Sequence, residues 1–339
     1  MEYRYIGKSG LRVTPICLGT MTFGSSADKK EAFKIMDKAY DRGINFFDTA
    51  ELYPVPPLKD IAGLTEEIIG EWLQTKPRDS IILASKVAGA SSGWFVPPIR
   101  HGLTAVDRFH ITTALENSLK RLKTDYIDLY QVHWPDMTVP IEETLYVLDE
   151  LVKQGKIRYL GTSNDSAYGL TKANETAKFK NLSRYQSIQN NFSMLNRRFM
   201  DEIATVCSKE QISLLPYSPL AGGMLTGKYN QKIYPSDARF TQYIKNENPR
   251  VQAQAKRFVN EKTIASVEKY LQIAKEYDVS LTTLATAWSM HFKFIASTII
   301  GARTEAQLDD TLAGLDYRID DELMKKLDDV HANILYPMG

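Results

Sequence analysis

The chain has 339 residues, 43% of them hydrophobic and 24% charged, which supplies material for a large core and none for extended disorder. Forty-two basic residues face forty-one acidic ones with the signs interspersed, a net charge of +1, so no broad field draws in a polyanion and nucleic acid is not an expected partner. The N-terminus has no apolar signal region, no run of about 18 apolar residues occurs, and the two cysteines, Cys17 and Cys207, are too few and too far apart for a disulfide framework or a cysteine metal cluster. The expectation is a soluble cytoplasmic protein with both thiols buried as small hydrophobes.

A short two-strand ribbon comes first, Tyr3 to Ile6 and Leu11 to Thr14 across a Gly7 to Gly10 turn. A strand-then-helix unit then repeats eight times. The strands are Ile16 to Leu18, Asn45 to Asp48, Ile81 to Lys86, Ile127 to His133, Ile157 to Ser163, Ser187 to Gln189, Ser213 to Tyr217 and Ala296 to Ile300. Each is short and apolar, as strands buried on both faces are. Helical spacing lies between them, for example at Ala32, Ile35, Met36 and Ala39, at Ile111, Leu115, Leu119 and Leu122, and at Leu145, Leu148 and Val152. Gly43 and Gly155 stand where a left-handed residue ends a helix, and Thr65 before Glu66 and Glu67 reads as an N-cap.

Alternation alone suits an open doubly wound sheet as well as a barrel. A dinucleotide-binding open sheet, however, carries G-x-G-x-x-G after its first strand, and this chain has LGTMTFG (Leu18 to Gly24) there. The fold expected is therefore α/β, a (β/α)8 TIM barrel with a short N-terminal β-hairpin and long βα loops, forming one domain over residues 1–339. Two of those loops, Lys86 to Arg108 and Ala221 to about Arg257, follow strands and so belong to the active-site face.

Asp48 and Tyr53 follow one apolar run, Lys86 ends a second and His133 ends a third. At a common sheet edge they would meet. A phenol has a pKa of about 10 and is a poor proton donor unless its anion is stabilised. Lys86 beside Tyr53 would lower that pKa, Asp48 would keep the ammonium charged, and His133 would position an incoming oxygen. Such a set suits hydride addition to a carbonyl. Taken singly, His133 reads as a structural histidine, Asp48 with Lys86 as a buried ion pair, and Tyr53 as a loop aromatic; their joint order favours catalysis. The remaining histidines show no H-x-H or H-E-x-x-H spacing and no G-x-S-x-G elbow occurs, so no metal site or serine hydrolase is expected.

These residues resemble the D-x-x-x-x-Y, Lys and His tetrad of the aldo-keto reductases. The resemblance continues through GTSN (Gly161 to Asn164), IQNNFSMLNR (Ile188 to Arg197), PYSPLAGGMLTGKY (Pro216 to Tyr229) and IIGARTEAQL (Ile299 to Leu308). AELYPVPP and GLTEEIIGEWL look most similar to the Tas-type subgroup. The resemblance implies NADP(H)-dependent reduction of a small aldehyde or ketone, with Asp48, Tyr53, Lys86 and His133 catalytic and Tyr53 and His133 against the substrate; Trp94 and Trp134 read as packing aromatics or as walls of the substrate pocket, Trp134 favouring the pocket because it follows His133 directly.

It implies further that Ser163, Asn164 and Gln189 hold the nicotinamide carboxamide and that Tyr217 stacks on the ring. Ser218, Pro219, Leu220, Lys228 and Arg239 line the pyrophosphate. Gly301, Arg303 and Gln307 receive the adenosine 2′-phosphate, Asp310 lies near the adenine amine, and Gly19, Thr20, Met21 and Asp48 make other cofactor contacts. Two positions depart from the usual pattern, Thr311 in place of Asn and Phe192 in place of Tyr. An alternative implied by the same resemblance is an NADP(H)-binding redox-sensing regulatory subunit like the potassium-channel β-subunits.

Overall fold

The computed structural model describes residues 2–91 and 96–338. Trp94, one of the expected substrate contacts, lies outside the described residues. Two antiparallel strands, β1 (Arg4–Tyr5) and β2 (Arg12–Val13), form the N-terminal ribbon. Eight parallel strands follow among the described residues: β3 (Ile16–Gly19), β4 (Phe46–Asp48), β5 (Ile82–Val87), β6 (Ile127–Val132), β7 (Ile157–Ser163), β8 (Tyr185–Gln189), β9 (Ser213–Leu214) and β10 (Thr298–Ile300). Their order is β10-β3-β4-β5-β6-β7-β8-β9, so neighbours in sequence are neighbours in space.

Backbone bonds across the remaining gap close the sheet. Leu214 N donates to Phe294 O at 2.7 Å, Ala296 N to Leu214 O at 3.1 Å and Ile299 N to Pro216 O at 2.8 Å. The result is a (β/α)8 barrel. The seventh barrel strand was expected to reach Tyr217, yet β9 ends at Leu214 and only isolated bridges join Tyr217 to Asn191 and Ile299. Pro216, which has no N–H to give a ladder, interrupts it.

Outside the sheet lie α1 (Lys29–Asp41), α2 (Leu64–Leu73), α3 (Arg108–Leu122), α4 (Ile141–Lys153), α5 (Ala167–Lys180), α6 (Ile203–Glu210), α7 (Arg239–Ile244), α8 (Pro249–Phe258), α9 (Glu261–Glu276), α10 (Leu281–Met290), α11 (Gln307–Ala313) and α12 (Asp321–Asn333). The expected stripes of α1 and α3 are buried, and Asp28 and Asp107 cap these helices by accepting from Glu31 N and His110 N, each at 2.8 Å. Gly43 and Gly155 take φ of 83° and 75° just past α1 and α4, as a helix end wants. Thr65 does not cap α2. The helix begins at Leu64 after Gly63, and Thr65 is buried inside it, its hydroxyl donating to Phe23 O at 2.6 Å. None of the described helices is long and apolar enough to cross a membrane.

Side chains alternate across each strand, so residues two apart share the barrel interior. One interior layer is apolar: Cys17, Phe46, Ala84, Leu129, Leu215 and Ile299 pack together, and the ribbon plugs them from below with Ile6, Leu11 and Val13. Each large side chain buried here contributes roughly 1.5–3 kcal/mol. The ribbon approaches closely because Gly7, at φ 55°, has no Cβ; one would lie 2.4 Å from Gln186 O. Two residues further along the same strands the interior turns polar, at Asp48, Lys86 and Gln131, and the next step along β6 is His133.

Candidate active site

Strand register brings the tetrad together. Gly19 pairs with Asp48, Asp48 with Ala84, and Lys86 with Gln131, which places Asp48 and Lys86 at successive levels of adjacent strands. Beyond β4 the chain is tied back to β5, with Thr49 N donating to Ala84 O at 2.9 Å and Glu51 N to Lys86 O at 3.3 Å. Tyr53 then closes a turn by donating from its N to Ala50 O at 3.1 Å. His133 N donates to Val87 O at 2.9 Å, continuing the β5–β6 ladder one step past the end of β6.

Lys86 is wholly buried and donates to Asp48 Oδ2 at 2.5 Å and to Thr49 O at 2.7 Å. Its Nζ lies 5.0 Å from the centroid of the Tyr53 ring, close enough for the ammonium charge to act on the phenol. The Tyr53 ring meets His133 edge to face, with centroids 5.7 Å apart and planes at 83°. All four expected groups thus share one spot at the C-terminal edge of the strands, where barrels carry their sites.

Burial is the largest influence on each of the three titrating groups that shift. It would lower the Lys86 pKa, but Asp48 and then Tyr53 outweigh it and the ammonium is held above its ordinary value. It raises the Tyr53 phenol above 10, against the opposing pull of Lys86. The sequence reading had the phenol lowered; it counted the neighbouring ammonium and not the desolvation of the anion. His133 falls well below 6.5 through burial and then through repulsion by Lys86, so its imidazole is neutral at neutral pH. Its buried Nδ1 has no hydrogen-bond partner among the described residues.

Loops wall this spot. Trp134 packs on His133 with centroids 4.9 Å apart and donates from Nε1 to Ala90 O at 2.8 Å. Glu51, 3% exposed, accepts from Ala88 N at 2.7 Å and receives Arg100 through both guanidinium nitrogens, Nη2 reaching Oε1 at 2.7 Å. A buried carboxylate therefore fastens the loop after β5 to the loop that carries Tyr53.

The expected cofactor residues fall on the same end of the barrel. Thr20 donates to Asp48 O from both N and Oγ1, at 3.1 and 2.9 Å, Met21 O accepts from Val55 N at 2.8 Å, and a Cβ on Gly19 would meet Ile299 Cγ2 at 2.6 Å. Ser163 Oγ donates to Gln189 O at 2.7 Å. Asn164, in the left-handed region at φ 54°, donates to His133 O at 2.9 Å and accepts from the Tyr217 hydroxyl at 2.7 Å. Burial pushes that hydroxyl up to about 12. Ser218, at φ 57°, Pro219 and Leu220 lead into a 3₁₀ turn, Ala221–Thr226, and a Cβ on Gly223 would sit 2.9 Å from Lys228 Nζ.

Lys228 is pulled down by burial and then by the Arg303 charge, with Asp237 opposing and Arg239 adding, so both guanidinium charges act on this ammonium. Arg303 Nη1 donates to Asp237 O at 3.1 Å, and Arg303 N donates to Gln307 Oε1 at 2.9 Å. Gly301 directly follows β10 and Asp310 lies on α11, and both are exposed. The two departures from the family pattern lie away from the tetrad. Thr311 is buried with its hydroxyl on Gln307 O at 3.3 Å, and Phe192 is stacked on Trp288 in the outer core.

Sequence reasoning missed Gln131, which is wholly buried and donates from Nε2 to Asp48 Oδ1 at 3.0 Å, and it missed the Glu51–Arg100 clamp. Gln131 was available from strand periodicity, since it stands two before His133 on the same face. Among the described residues no group of three or more His, Cys, Asp or Glu side chains is placed to hold a metal ion.

A closed eightfold barrel with these side chains at its C-terminal rim is the architecture of a barrel enzyme. The Aldo/keto reductase family model matches residues 15–332, and the chain belongs to that family. It is 37% identical to Protein tas of Escherichia coli (strain K12), with 99% of both chains covered. It is 35% identical to an uncharacterized oxidoreductase, YrpG, of Bacillus subtilis (strain 168), over 97% of this chain and 96% of that one. A probable voltage-gated potassium channel subunit beta of Arabidopsis thaliana is also 35% identical, with 93% and 92% covered.

Proposed function

We propose that this protein reduces a small aldehyde or ketone to an alcohol at the expense of NADPH, with Tyr53 as general acid. The observation that carries this is the single ammonium of Lys86, buried, anchored by Asp48 and Thr49, and set against the Tyr53 phenol and the neutral His133 ring. When bound, NADPH supplies a hydride to the carbonyl carbon. As charge grows on the carbonyl oxygen, Tyr53 gives it the phenolic proton and His133 orients it. Lys86 stabilises the phenolate left behind, and Asp48 keeps the ammonium charged. A phenol whose pKa lies above 10 holds its proton throughout the neutral range, so the acid form is fully populated there.

The cofactor residues fit the group by chemistry. Lys228 and Arg239 would meet the pyrophosphate with Asp237 close by, and the Arg303 guanidinium would suit the 2′-phosphate dianion, which favours NADPH over NADH. Ser163, Asn164 and Gln189 would hold the carboxamide, Tyr217 the ring face, and Ser218, Pro219 and Leu220 the pyrophosphate. Gly301 and Gln307 would flank the 2′-phosphate with Arg303, and Asp310 the adenine. Trp134, and by sequence Trp94, would wall the substrate pocket. In this scheme residues 1–339 act as one soluble cytoplasmic domain.

Purified protein mixed with NADPH and 4-nitrobenzaldehyde tests the proposal. Cofactor oxidation is expected, and Tyr53→Phe should lower the rate on the order of 10²–10⁴-fold. A second reading draws on the 35% identity to a potassium channel subunit beta: the barrel binds NADP(H) as a redox-sensing regulatory subunit. Tight NADPH binding with negligible turnover over a broad carbonyl panel, and co-purification of a partner, would favour it.

A further inference from the structure

Asp48 Oδ2 is taken by Lys86, but its other oxygen is held by amides alone. Gln131 Nε2 donates to Asp48 Oδ1 at 3.0 Å and Gln189 Nε2 donates to the same oxygen at 2.9 Å. Gln189 Nε2 also reaches Gln131 Oε1 at 3.2 Å, which ties the two amides to each other. Chemistry fixes their orientation: an ionised carboxylate only accepts, so both glutamines must turn nitrogen toward Asp48. Room for the Gln131 side chain comes from Gly161 on the next strand, where a Cβ would stand 3.1 Å from Gln131 Cγ and 2.6 Å from Ser187 Oγ. A wholly buried amide is costly unless its bonds are made, and here both ends are spent on the site.

The two amides differ in a useful way. Gln189 lies beside Ser163, whose hydroxyl donates to its carbonyl, and among the described residues no hydrogen bond falls on Gln189 Oε1, so that end remains open to a ligand. Gln131 uses both its nitrogen and its oxygen within the site. Its register partner on β5 is Lys86 itself.

The geometry points to Gln131 as a positioning residue of this site: it holds Asp48 in place against Lys86. This rests on the reductase reading above, within which Asp48 keeps the ammonium beside Tyr53. Losing one donor leaves a buried carboxylate oxygen with a single amide and loosens the hold of Asp48 on Lys86.

The test is Gln131→Leu, of nearly the same length and without polar atoms, compared with Gln189→Leu. For Gln131→Leu with NADPH and 4-nitrobenzaldehyde, kcat is expected to fall about tenfold. The KM for 4-nitrobenzaldehyde and the Kd and stoichiometry of NADPH binding should stay at the wild-type values. Gln189→Leu should weaken NADPH binding as well. A wild-type kcat in Gln131→Leu would overturn the assignment, as would a rate loss matched by an equal loss of NADPH-binding sites. If the wild-type protein binds NADPH but reduces no carbonyl, the functional proposal fails separately. A double-mutant cycle of Gln131→Leu with Asp48→Asn, read in unfolding free energy, then decides: non-additive effects support the assignment and additive ones overturn it.

Discussion

Lys86 Nζ donates to Asp48 Oδ2 at 2.5 Å while lying 5.0 Å from the centre of the Tyr53 ring, so one buried cation serves an ion pair and a phenol at once. The side chains of the pair are 0% and 3% exposed. Breaking such a pair leaves an uncompensated buried charge at a cost of about 3–5 kcal/mol, whereas replacing both partners by neutral groups is often tolerated. Lys86→Met should therefore abolish turnover and lower unfolding stability, and adding Asp48→Asn should restore stability without restoring activity. Chemical denaturation beside turnover assays checks both parts.

His133 sets a pH dependence. Its folded pKa is depressed by burial and by Lys86. Below the unfolded value of about 6.5 the unfolded chain binds a proton that the folded chain does not, so stability falls as pH drops from there toward the folded pKa. The slope is at most about 1.4 kcal/mol per pH unit. His133→Asn should flatten that part of the curve. In wild-type protein the reduction rate should show no inflection near the ordinary histidine pKa, because the ring is already neutral there.

Arg303 and Arg239 both repel the Lys228 charge, and Asp237 lies 3.6 Å from Arg303 Nη2. Arg303→Ala should raise the Kd for NADPH about tenfold or more, the worth of a charge-assisted hydrogen bond, and leave NADH binding nearly unchanged. Fluorescence titration with the two cofactors, repeated at higher salt, measures the difference. Added salt should weaken NADPH binding more than NADH binding.

Arg100 and Glu51 join the loops on either side of the site, with Ala88 N on the same carboxylate and Trp134 on Ala90 O. Arg100→Ala strands a 3% exposed carboxylate and should cost about 3–5 kcal/mol of stability. The double change Glu51→Gln with Arg100→Met should cost less. Both should raise KM for bulky aldehydes more than they lower kcat, since the clamp ties down the loop after β5 and, among the described residues, makes no hydrogen bond to the Tyr53 phenol.

The barrel was legible because its strands are apolar runs ended by reactive side chains, and period two then predicts which residues share the interior. Asp48, Lys86 and His133 were found that way. Gln131 obeys the same rule and was passed over because an amide suggests no chemistry until the carboxylate it serves is seen. The helices α7 and α8 were read as loop, although Asn248 before Pro249 is a cap followed by the residue best suited to a first helical turn. Thr65 was misplaced because a threonine before two acids looks the same one residue inside a helix as at its start. The raised Tyr53 phenol was out of reach: sequence supplies the neighbours of a group but not how much water they exclude.

Deuterium transfer tests the central claim most directly. With NADPH deuterated at C4 and 4-nitrobenzaldehyde, wild-type protein should place the label on the carbinol carbon of the product alcohol, and Tyr53→Phe, still folded and still binding NADPH, should yield almost none of that product. Alcohol formed without the label, or formed by Tyr53→Phe at the wild-type rate, would contradict hydride transfer assisted by this phenol.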